Sequence, residues 1–315
     1  MKDNLFILIG PTAIGKTSLS IELAKRMNGE IISADSMQIY KYMDIGSAKV
    51  SKEEMQGVQH HLIDIILPDQ EFTVSDYKER AVTLIQDINK RNKLPMVVGG
   101  TGLYINSLVY KLNFTEVPPH NEVRTKLELL GEERGNEYLH EMLEKIDIES
   151  SERISVNDRK RIIRAIEIFQ ITGKTMTEFN KDFRQPIEDY NLVMVGLNMN
   201  REKLYNRINH RVDIMVEEGL IEEVKDLLEM GYDRKLVSMQ GIGYKEILMY
   251  LEGIISLDES IEKIKQGSRN YAKRQLTWFR RDNRIKWVDV DNFNNLEDLS
   301  QYIIDYSKDR FIINR

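Results

Sequence analysis

The sequence predicts an α/β protein whose core is a parallel sheet flanked by helices. The short apolar run at residues 5–9 is typical of a strand that is covered on both faces, and residues 30–34 and 95–98 predict two further strands. The stretches 17–27 and 75–89, which lie between them, repeat apolar residues at helical spacing. Strands that alternate with helices along a chain usually pair in parallel, which gives the fold class.

The middle of the chain is predicted to form a helical insertion domain, after which the chain returns to the sheet. From Pro118 and Pro119 to about Pro186 the sequence is charged and helix-forming, without a long strand-like run. The apolar run at 192–197 then predicts a buried strand that returns to the sheet, and 285–290 is predicted as the last strand. We therefore expect one core formed by residues 1–115 and 190–315, with the insertion at 116–189.

Composition and charge exclude several classes of protein. With 41% hydrophobic and 30% charged residues, the chain can bury a sizeable core, so it is neither disordered nor fibrous. It has no cysteine, which excludes disulfides, thiolate metal sites and a cysteine nucleophile. The net charge of -6 argues against indiscriminate coating of nucleic acid. Because no secretory signal or apolar span near twenty residues is visible, we expect a cytoplasmic protein without a membrane partner.

A phosphate-binding loop follows the first predicted strand. Residues 10–17, GPTAIGKT, match the pattern G-x-x-x-x-G-K-[ST] directly between a strand and a helix, so the core is predicted to be P-loop NTPase-like. The glycines let backbone N–H groups face phosphate oxygens, Lys16 adds positive charge, and the Thr17 hydroxyl can bind Mg²⁺. The alternative, a chance glycine-rich turn, is disfavoured by the flanking elements. The predicted diphosphate or nucleotide site comprises Gly10, Pro11, Thr12, Ala13, Ile14, Gly15, Lys16 and Thr17.

An acidic residue, Asp35, follows the second predicted strand, at the edge where open parallel sheets bind their ligands. Taken alone, Asp35 is better explained as a loop or N-cap residue. An ordinary nucleotide hydrolase also supplies a magnesium-binding aspartate from another strand. Here the strand at 95–98 continues into GGT without an acid, and Asp64 is a weak substitute because the apolar run before it is short.

Several further stretches occur in order along the chain: DSMQIY (35–40), DIGSAK (44–49), HHLID (60–64), VVGGTGLY (97–104), NDRKRIIRAIE (157–167), LYNRINHRVD (204–213) and GIGY (241–244). Together they resemble the tRNA dimethylallyltransferases, from the phosphate loop almost to Arg284. The chain departs from the family pattern at Ser47, where threonine is usual, and at Val50 and Gln59, where proline is common. His120 and Asn121 also replace a frequent acidic residue, but none of these positions touches the predicted chemistry.

The resemblance implies transfer of a dimethylallyl group from dimethylallyl diphosphate to N6 of adenosine 37 in tRNA, with release of diphosphate. It assigns catalytic roles to Asp35, Thr101, Lys16 and Arg211. Asp35 would take the N6 proton and Thr101 would hold N6 through its hydroxyl. Arg211 would add a planar cation to the diphosphate, although on spacing alone it would be an ordinary surface charge.

The resemblance also implies which residues contact the tRNA anticodon stem-loop. They are Asp35, Ser36, Met37, Gln38, Thr101, Arg124, Lys160, Arg161, Ile162, Ile163, Arg164, Gly241, Ile242, Gly243, Tyr244, Lys245 and Glu246. Chemistry on N6 requires the adenine to leave its stack, so we expect a flipped base. The implied cofactor is Mg²⁺ at Thr17, and we expect a monomer whose partners are dimethylallyl diphosphate and tRNA.

Two other patterns leave alternatives open. Basic residues at 265, 269, 273, 280 and 284 fall on one arc of a helical wheel, which suits RNA, but a solvated amphipathic helix explains them better without further observations. His60 and His61 suggest a metal site. Adjacent strand residues face opposite sides, however, and no third ligand has the expected spacing, so a structural role is favoured.

Three rival functions fit parts of the sequence. A P-loop small-molecule kinase would need ATP-dependent phosphoryl transfer and an arginine-rich lid. An adenylate isopentenyltransferase would use the same donor with free AMP, although the long insertion and its basic cluster favour RNA. A non-catalytic RNA-binding protein would use the loop only as a nucleotide switch, and the pairing of Asp35 with Thr101 argues against it.

Overall fold

The computed structural model describes residues 2–111, 120–179, 185–308 and 310–311. The chain divides into two compact units: a core unit, Met1–Leu108 with Glu188–Arg315, and a helical unit, Val109–Ile187. The helical unit thus begins at 109, where the sequence suggested 116, and ends at 187, where it suggested 189. The predicted boundary at Pro118 and Pro119 lies outside the described residues.

The core unit is built on a six-stranded parallel sheet, which confirms the predicted fold class. Its strands are β1 (Asp3–Ile9), β2 (Gly29–Ala34), β3 (His60–His61), β4 (Leu94–Gly99), β5 (Tyr190–Asn198) and β6 (Lys286–Asp289), in the spatial order β3-β2-β4-β1-β5-β6. Five of them lie where apolar runs predict strands. The short β3 is too brief to carry such a pattern.

The helices flank this sheet or form the helical unit. In chain order they are α1 (Lys16–Arg26), α2 (Lys52–Met55), α3 (Val74–Lys90), α4 (Gly102–Val109), α5 (Asn121–Ile146), α6 (Ile148–Arg153), α7 (Arg159–Thr172), α8 (Met176–Phe179), α9 (Arg201–Glu217), α10 (Leu220–Glu229), α11 (Tyr244–Leu251), α12 (Leu257–Phe279) and α13 (Leu296–Lys308). Helices α5 to α8 belong to the helical unit, and α5 is interrupted at Gly135, whose φ is 86°. No helix within the described residues has the length and apolar character needed to cross a bilayer.

Local sequence explains where the helices start and stop. Helix α3 begins at a capping box, in which Thr73 accepts the N–H of Asp76 at 3.2 Å and Asp76 accepts the N–H of Thr73 at 2.7 Å. Helix α1 ends at Arg26, and Gly29 begins β2. A Cβ at position 29 would lie 2.6 Å from the sulfur of Met96, so the close pairing of β2 with β4 requires glycine there.

The core lies on both faces of the sheet. Residues 5–9 of β1 are fully buried, as expected of a central parallel strand. The helical unit has its own smaller core, to which α5 contributes Leu139 and α7 contributes Ile162 and Ile166, all of them fully buried. Each unit therefore buries an apolar interior of its own.

The strand register fixes the level at which the loops begin. Ile9 of β1 and Ala34 of β2 both pair with Gly99 of β4, so the carboxyl ends of these three neighbouring strands lie side by side. The phosphate loop, Asp35 and Thr101 follow these three ends, and the sheet thereby gathers three predicted site segments along one edge.

Candidate active site

Close backbone contacts join the ends of β2 and β4. The amides of Gly100 and Thr101 both donate to the carbonyl of Ala34, at 3.2 and 3.0 Å. The Thr101 hydroxyl in turn accepts the N–H of Ser36 at 3.1 Å. A Cβ at Gly99 would lie 2.2 Å from the carbonyl oxygen of Ala34, so glycine is required at this approach. Thr101 is consequently held beside the segment that carries Asp35.

The phosphate loop curls around the amine of Lys16. Its Nζ donates to the carbonyl oxygens of Gly10 at 3.0 Å and Pro11 at 2.9 Å. Gly15 precedes α1 in a left-handed conformation, with φ of 101°, so that the helix N-terminus opens toward the loop. The pKa of Lys16 is lowered to about 8, chiefly by burial and also by the nearby charge of Arg211, while the carboxylate of Asp35 acts in the opposite direction.

A cleft of about 670 Å³ contains most of the predicted chemistry. Its lining includes Thr12, Ala13, Ile14, Gly15, Lys16, Thr17, Asp35, Gln38, Arg207, Arg211, Tyr271 and Gln275. The structure therefore brings the phosphate loop, the candidate base and the candidate extra cation to one site within the core unit. Thr101 joins them through its bond to Ser36.

Arg211 projects from α9 toward the loop. One guanidinium nitrogen donates to the Thr12 hydroxyl at 3.3 Å and the other to the carbonyl of Ala48 at 3.4 Å. Burial lowers the pKa of Arg211 below its usual value, and the carboxylate of Asp35 acts in the opposite direction. One turn earlier on α9, Arg207 lies against the loop at Gly15, since a Cβ there would be 3.5 Å from its guanidinium. Two cations of α9 thus face the phosphate loop.

The carboxylate of Asp35 is fixed by its own loop. Its Oδ1 accepts the N–H of Met37 at 2.9 Å. The negative charge of Asp35 partly offsets the lowering of the pKa of Lys16 and Arg211 and contributes to the raised pKa of Tyr271, so it acts on groups from three separate segments. An acceptor at this position can receive a proton from a ligand atom in the cleft.

Two cleft residues of α12 were missed by the sequence reasoning. Gln275 accepts the N–H of Thr12 at 3.0 Å and donates to the carbonyl of Gly100 at 3.1 Å. Burial, with the charge of Asp35, raises the pKa of Tyr271 to about 12, while interactions with Thr101 and Gln275 lower it. The available signal was their i, i+4 spacing, which places both on one face of the helix.

The segments 35–38 and 241–246 lie against each other. A Cβ at Gly241 would be 2.5 Å from the terminal carbon of Met37, and Gln38 accepts a bond from Ser33 at 3.1 Å. Ile242 is partly buried, and the exposed Lys245 reaches Glu246 at 3.6 Å.

Tyr244 and Glu246 have buried side chains, so they support the backbone of this segment. Tyr244 donates to the carboxylate of Glu223 at 2.8 Å, and Glu246 accepts the N–H of Gly243 at 2.9 Å. The same Glu223 accepts three consecutive amides, at residues 44–46, and thereby holds that loop against Tyr244.

The predicted RNA-contact residues of the helical unit separate into two sets. Arg124 and Arg164 bind the fully buried carboxylate of Glu167, at 2.9 and 2.7 Å. Lys160 is exposed and the side chain of Arg161 is 72% exposed. The side chains of Ile162 and Ile163, in contrast, are buried in the core of the helical unit, so a contact of these two residues with RNA would have to involve their backbone.

Other candidate residues prove to be structural. Asp64 is bound to Lys49 at 2.6 Å, so the weak substitute for a magnesium-binding aspartate is already neutralised. His61 contacts the buried Glu30 at 2.9 Å, and His60 contacts the carbonyl of Val58 at 2.9 Å. Within the described ranges, no group of three or more histidine and acidic side chains is arranged around a metal position.

The predicted basic helix face is shorter than expected. Helix α12 ends at Phe279, so Arg284 lies beyond it and binds Asp282 at 2.7 Å. Lys265 is paired with Asp213 of α9 at 2.7 Å. The basic arc therefore does not continue along the helix to Arg284.

Comparison with known proteins identifies the family. The family model described as IPP transferase matches residues 38–282, more than three quarters of the chain. The chain belongs to the IPP transferase family. A curated member of this family, the tRNA dimethylallyltransferase of Acetivibrio thermocellus, is 53% identical over 295 residues, which are 94% of each chain.

Solved structures of family members agree with this assignment. The full-length tRNA isopentenylpyrophosphate transferase of Bacillus halodurans superposes with a TM-score of 0.72 at 44% identity, over 98% of both chains. A eukaryotic dimethylallyltransferase acting on tRNA gives a TM-score of 0.83 at 31% identity, over 99% of this chain and 80% of that one.

Proposed function

We propose that this chain transfers a dimethylallyl group from dimethylallyl diphosphate to N6 of adenosine 37 in tRNA and releases diphosphate. The observation that carries the proposal is the single cleft in which the phosphate loop, Arg211 and Asp35 meet. The family relatives support the same reaction. A phosphate loop that faces a carboxylate suits a leaving diphosphate on one side and a nucleophile that loses a proton on the other.

The donor half of the cleft stabilises the leaving group. As the bond between C1 of the donor and the diphosphate oxygen breaks, negative charge grows on the diphosphate. Lys16 and Arg211 both lie at the loop, and burial has removed part of their hydration. Charges in such a site act more strongly on a developing anion than they would in water.

The acceptor half positions and deprotonates the adenine. The N6 lone pair is delocalised into the ring, so N6 attacks poorly until its proton has an acceptor. As the bond from N6 to C1 forms, the N6 proton passes to the carboxylate of Asp35. The Thr101 hydroxyl, fixed beside Ser36, hydrogen-bonds N6 and limits its orientation.

A magnesium ion fits the donor half. Thr17 lies at the first turn of α1 and lines the cleft with its hydroxyl-bearing side chain, and a hydroxyl with diphosphate oxygens forms the all-oxygen set that Mg²⁺ prefers. When bound there, the ion supplies additional positive charge to the departing diphosphate.

Basic side chains bind the phosphates of the tRNA. The segments 35–38 and 241–246 guide the target adenine to the cleft. Lys160 and Arg161 are exposed and can neutralise phosphates, whereas Arg124 and Arg164 are anchored to Glu167. We infer that the enzyme acts as a monomer in the cytoplasm, since the acceptor is a tRNA.

The decisive experiment combines purified protein, dimethylallyl diphosphate, Mg²⁺ and unmodified tRNA, with detection of prenylated adenosine by mass spectrometry. We expect modified tRNA, and we expect Asp35→Ala to reduce the rate by about 10²-fold or more. Asp69→Ala removes an exposed carboxylate outside the cleft and is the matched control. Prenylation of free AMP alone, or equal rates for the two variants, would contradict the proposal.

A further inference from the structure

We propose that Gln275 is a positioning residue that sets the donor loop at a fixed distance from the acceptor site. This inference rests on the proposed function, because it concerns how the two halves of that reaction are aligned. Gln275 lies on α12, far along the chain from both halves, and its side chain is only 5% exposed. Its hydrogen bonds are to backbone groups of the two loops and not to a catalytic side chain.

The amide of Gln275 joins the two loops directly. Its Oε1 accepts the N–H of Thr12, in the phosphate loop, at 3.0 Å. Its Nε2 donates to the carbonyl of Gly100 at 3.1 Å, one residue before Thr101. One rigid planar group therefore connects the strand end that binds diphosphate with the strand end that holds the hydroxyl beside Asp35.

The loop sequence makes this link specific. Pro11 has no N–H, so Thr12 supplies the first backbone donor after Gly10, and that donor points to Gln275. The fit is also tight on the other side, since a Cβ at Gly100 would lie 2.0 Å from Nε2 of Gln275. Glycine at position 100 is thus required for the amide to reach the carbonyl.

Only a neutral amide can serve both loops at once. A primary amide donates and accepts, whereas a carboxylate only accepts and a thioether does neither well. Glutamate at 275 keeps the acceptor for Thr12 but turns a negative oxygen toward the carbonyl of Gly100. Methionine at 275 preserves the approximate length and removes both bonds.

Alignment of the two loops controls the rate because attack requires N6 to face C1 of the donor. A misplacement of about 1 Å in such a geometry costs on the order of 10²-fold in rate. Tyr271, one turn earlier on α12, interacts with both Thr101 and Gln275 and makes the same helix face a common support for the site. The donor binds at the phosphate loop and Arg211, whereas turnover also requires the acceptor side to be aligned with them, so the loss of the link should affect turnover beyond any change in donor affinity.

The test measures kcat and the KM for dimethylallyl diphosphate with full-length Gln275→Glu and Gln275→Met, using saturating unmodified tRNA. We expect Gln275→Glu to lower kcat by about 10-fold or more, because the bond to Gly100 is lost. The donor KM should rise too, because the new carboxylate lies beside the loop that binds the anionic diphosphate. We expect Gln275→Met to lower kcat further, by about 10- to 100-fold, and to raise the donor KM as well. Gln266→Glu introduces the same charge at an exposed position of α12 and should behave as wild type.

Circular dichroism and active-site titration with donor count the folded molecules in each preparation. A loss of activity that merely follows the loss of folded protein, with unchanged kcat per folded site, would overturn the positioning role. Wild-type kcat and KM in both Gln275 variants would overturn it too. An inactive wild type would instead refute the proposed function, and the two failures are therefore distinguishable.

Discussion

The amine of Lys16 gives the donor site a pH dependence of a definite sign and size. Burial and the charge of Arg211 bring the pKa of Lys16 to about 8 in the free protein. A bound diphosphate favours the charged amine and raises this pKa again, so binding takes up a proton above pH 8. The protonated fraction of Lys16 is about 0.9 at pH 7 and about 0.1 at pH 9, so donor affinity should fall about 10-fold over that interval.

Isothermal titration of dimethylallyl diphosphate at pH 7, 8 and 9, at constant ionic strength and Mg²⁺ concentration, measures this dependence. Lys16→Arg is the control, because a guanidinium keeps its charge throughout this range. The absolute donor affinity of Lys16→Arg will differ from that of the wild type. Titration of the donor and of other protein groups affects both proteins equally, so it cancels in the ratio of their affinities. The ratio of wild-type to variant affinity should thus fall about 10-fold from pH 7 to pH 9. A constant ratio would refute the role given to the Lys16 charge.

Two further predictions concern the free energy of unfolding, and a third concerns tRNA binding. Glu30→Gln should lower the free energy of unfolding in urea by about 2–3 kcal/mol at pH 7, since the buried carboxylate is bound by two cations and a histidine. Gly46→Ala should lower it by about 1–3 kcal/mol, because a Cβ there would lie 2.5 Å from the buried ring of Tyr244. Replacing Lys160 and Arg161 with alanine should weaken tRNA binding several-fold in filter assays and reduce its salt dependence, with no change in melting temperature.

Each of these predictions has an outcome that contradicts it. The partners of Glu30 hold its pKa far below the ordinary value of 4.5, so its contribution is present above that pH and is lost as the pH falls. An unfolding difference between wild type and Glu30→Gln that fails to shrink below pH 4.5 would exclude this origin. For Gly46→Ala, an unchanged free energy of unfolding would contradict the predicted clash with the ring of Tyr244. Unchanged tRNA affinity in the Lys160 and Arg161 variant would remove these residues from the RNA surface.

Much of the core unit could be predicted because its information is local. The apolar run of β1 is long enough to show burial on both faces, and the alternation of strand-like segments with helices implies a parallel sheet. The phosphate loop and Asp35 directly follow two of these strands, so the rule that ligands bind at carboxyl strand ends placed them at one edge.

The remaining features depend on contacts that no local pattern carries. Thr12 and Gln275 are 263 positions apart, and Glu223 meets the amides of the 44–46 loop from more than 170 positions away. Ile162 and Ile163 show a related limit, since resemblance identifies a segment but does not say which side of the helix faces the core. Helical spacing with Ile166 would have shown it.

The two ends of the helical unit meet in an antiparallel bridge between Tyr110 and Pro186. Lys111 donates to the carbonyl of Gln185 at 2.9 Å, and Ile187 donates to that of Val109 at 3.1 Å. The polypeptide thus leaves and re-enters at neighbouring points, which is the geometry that tolerates exchange or removal of a whole module. A tight hairpin turn in place of residues 112–184 would preserve the chain path on either side, so the contribution of the helical unit to tRNA binding can be measured by comparing the shortened protein with the full chain.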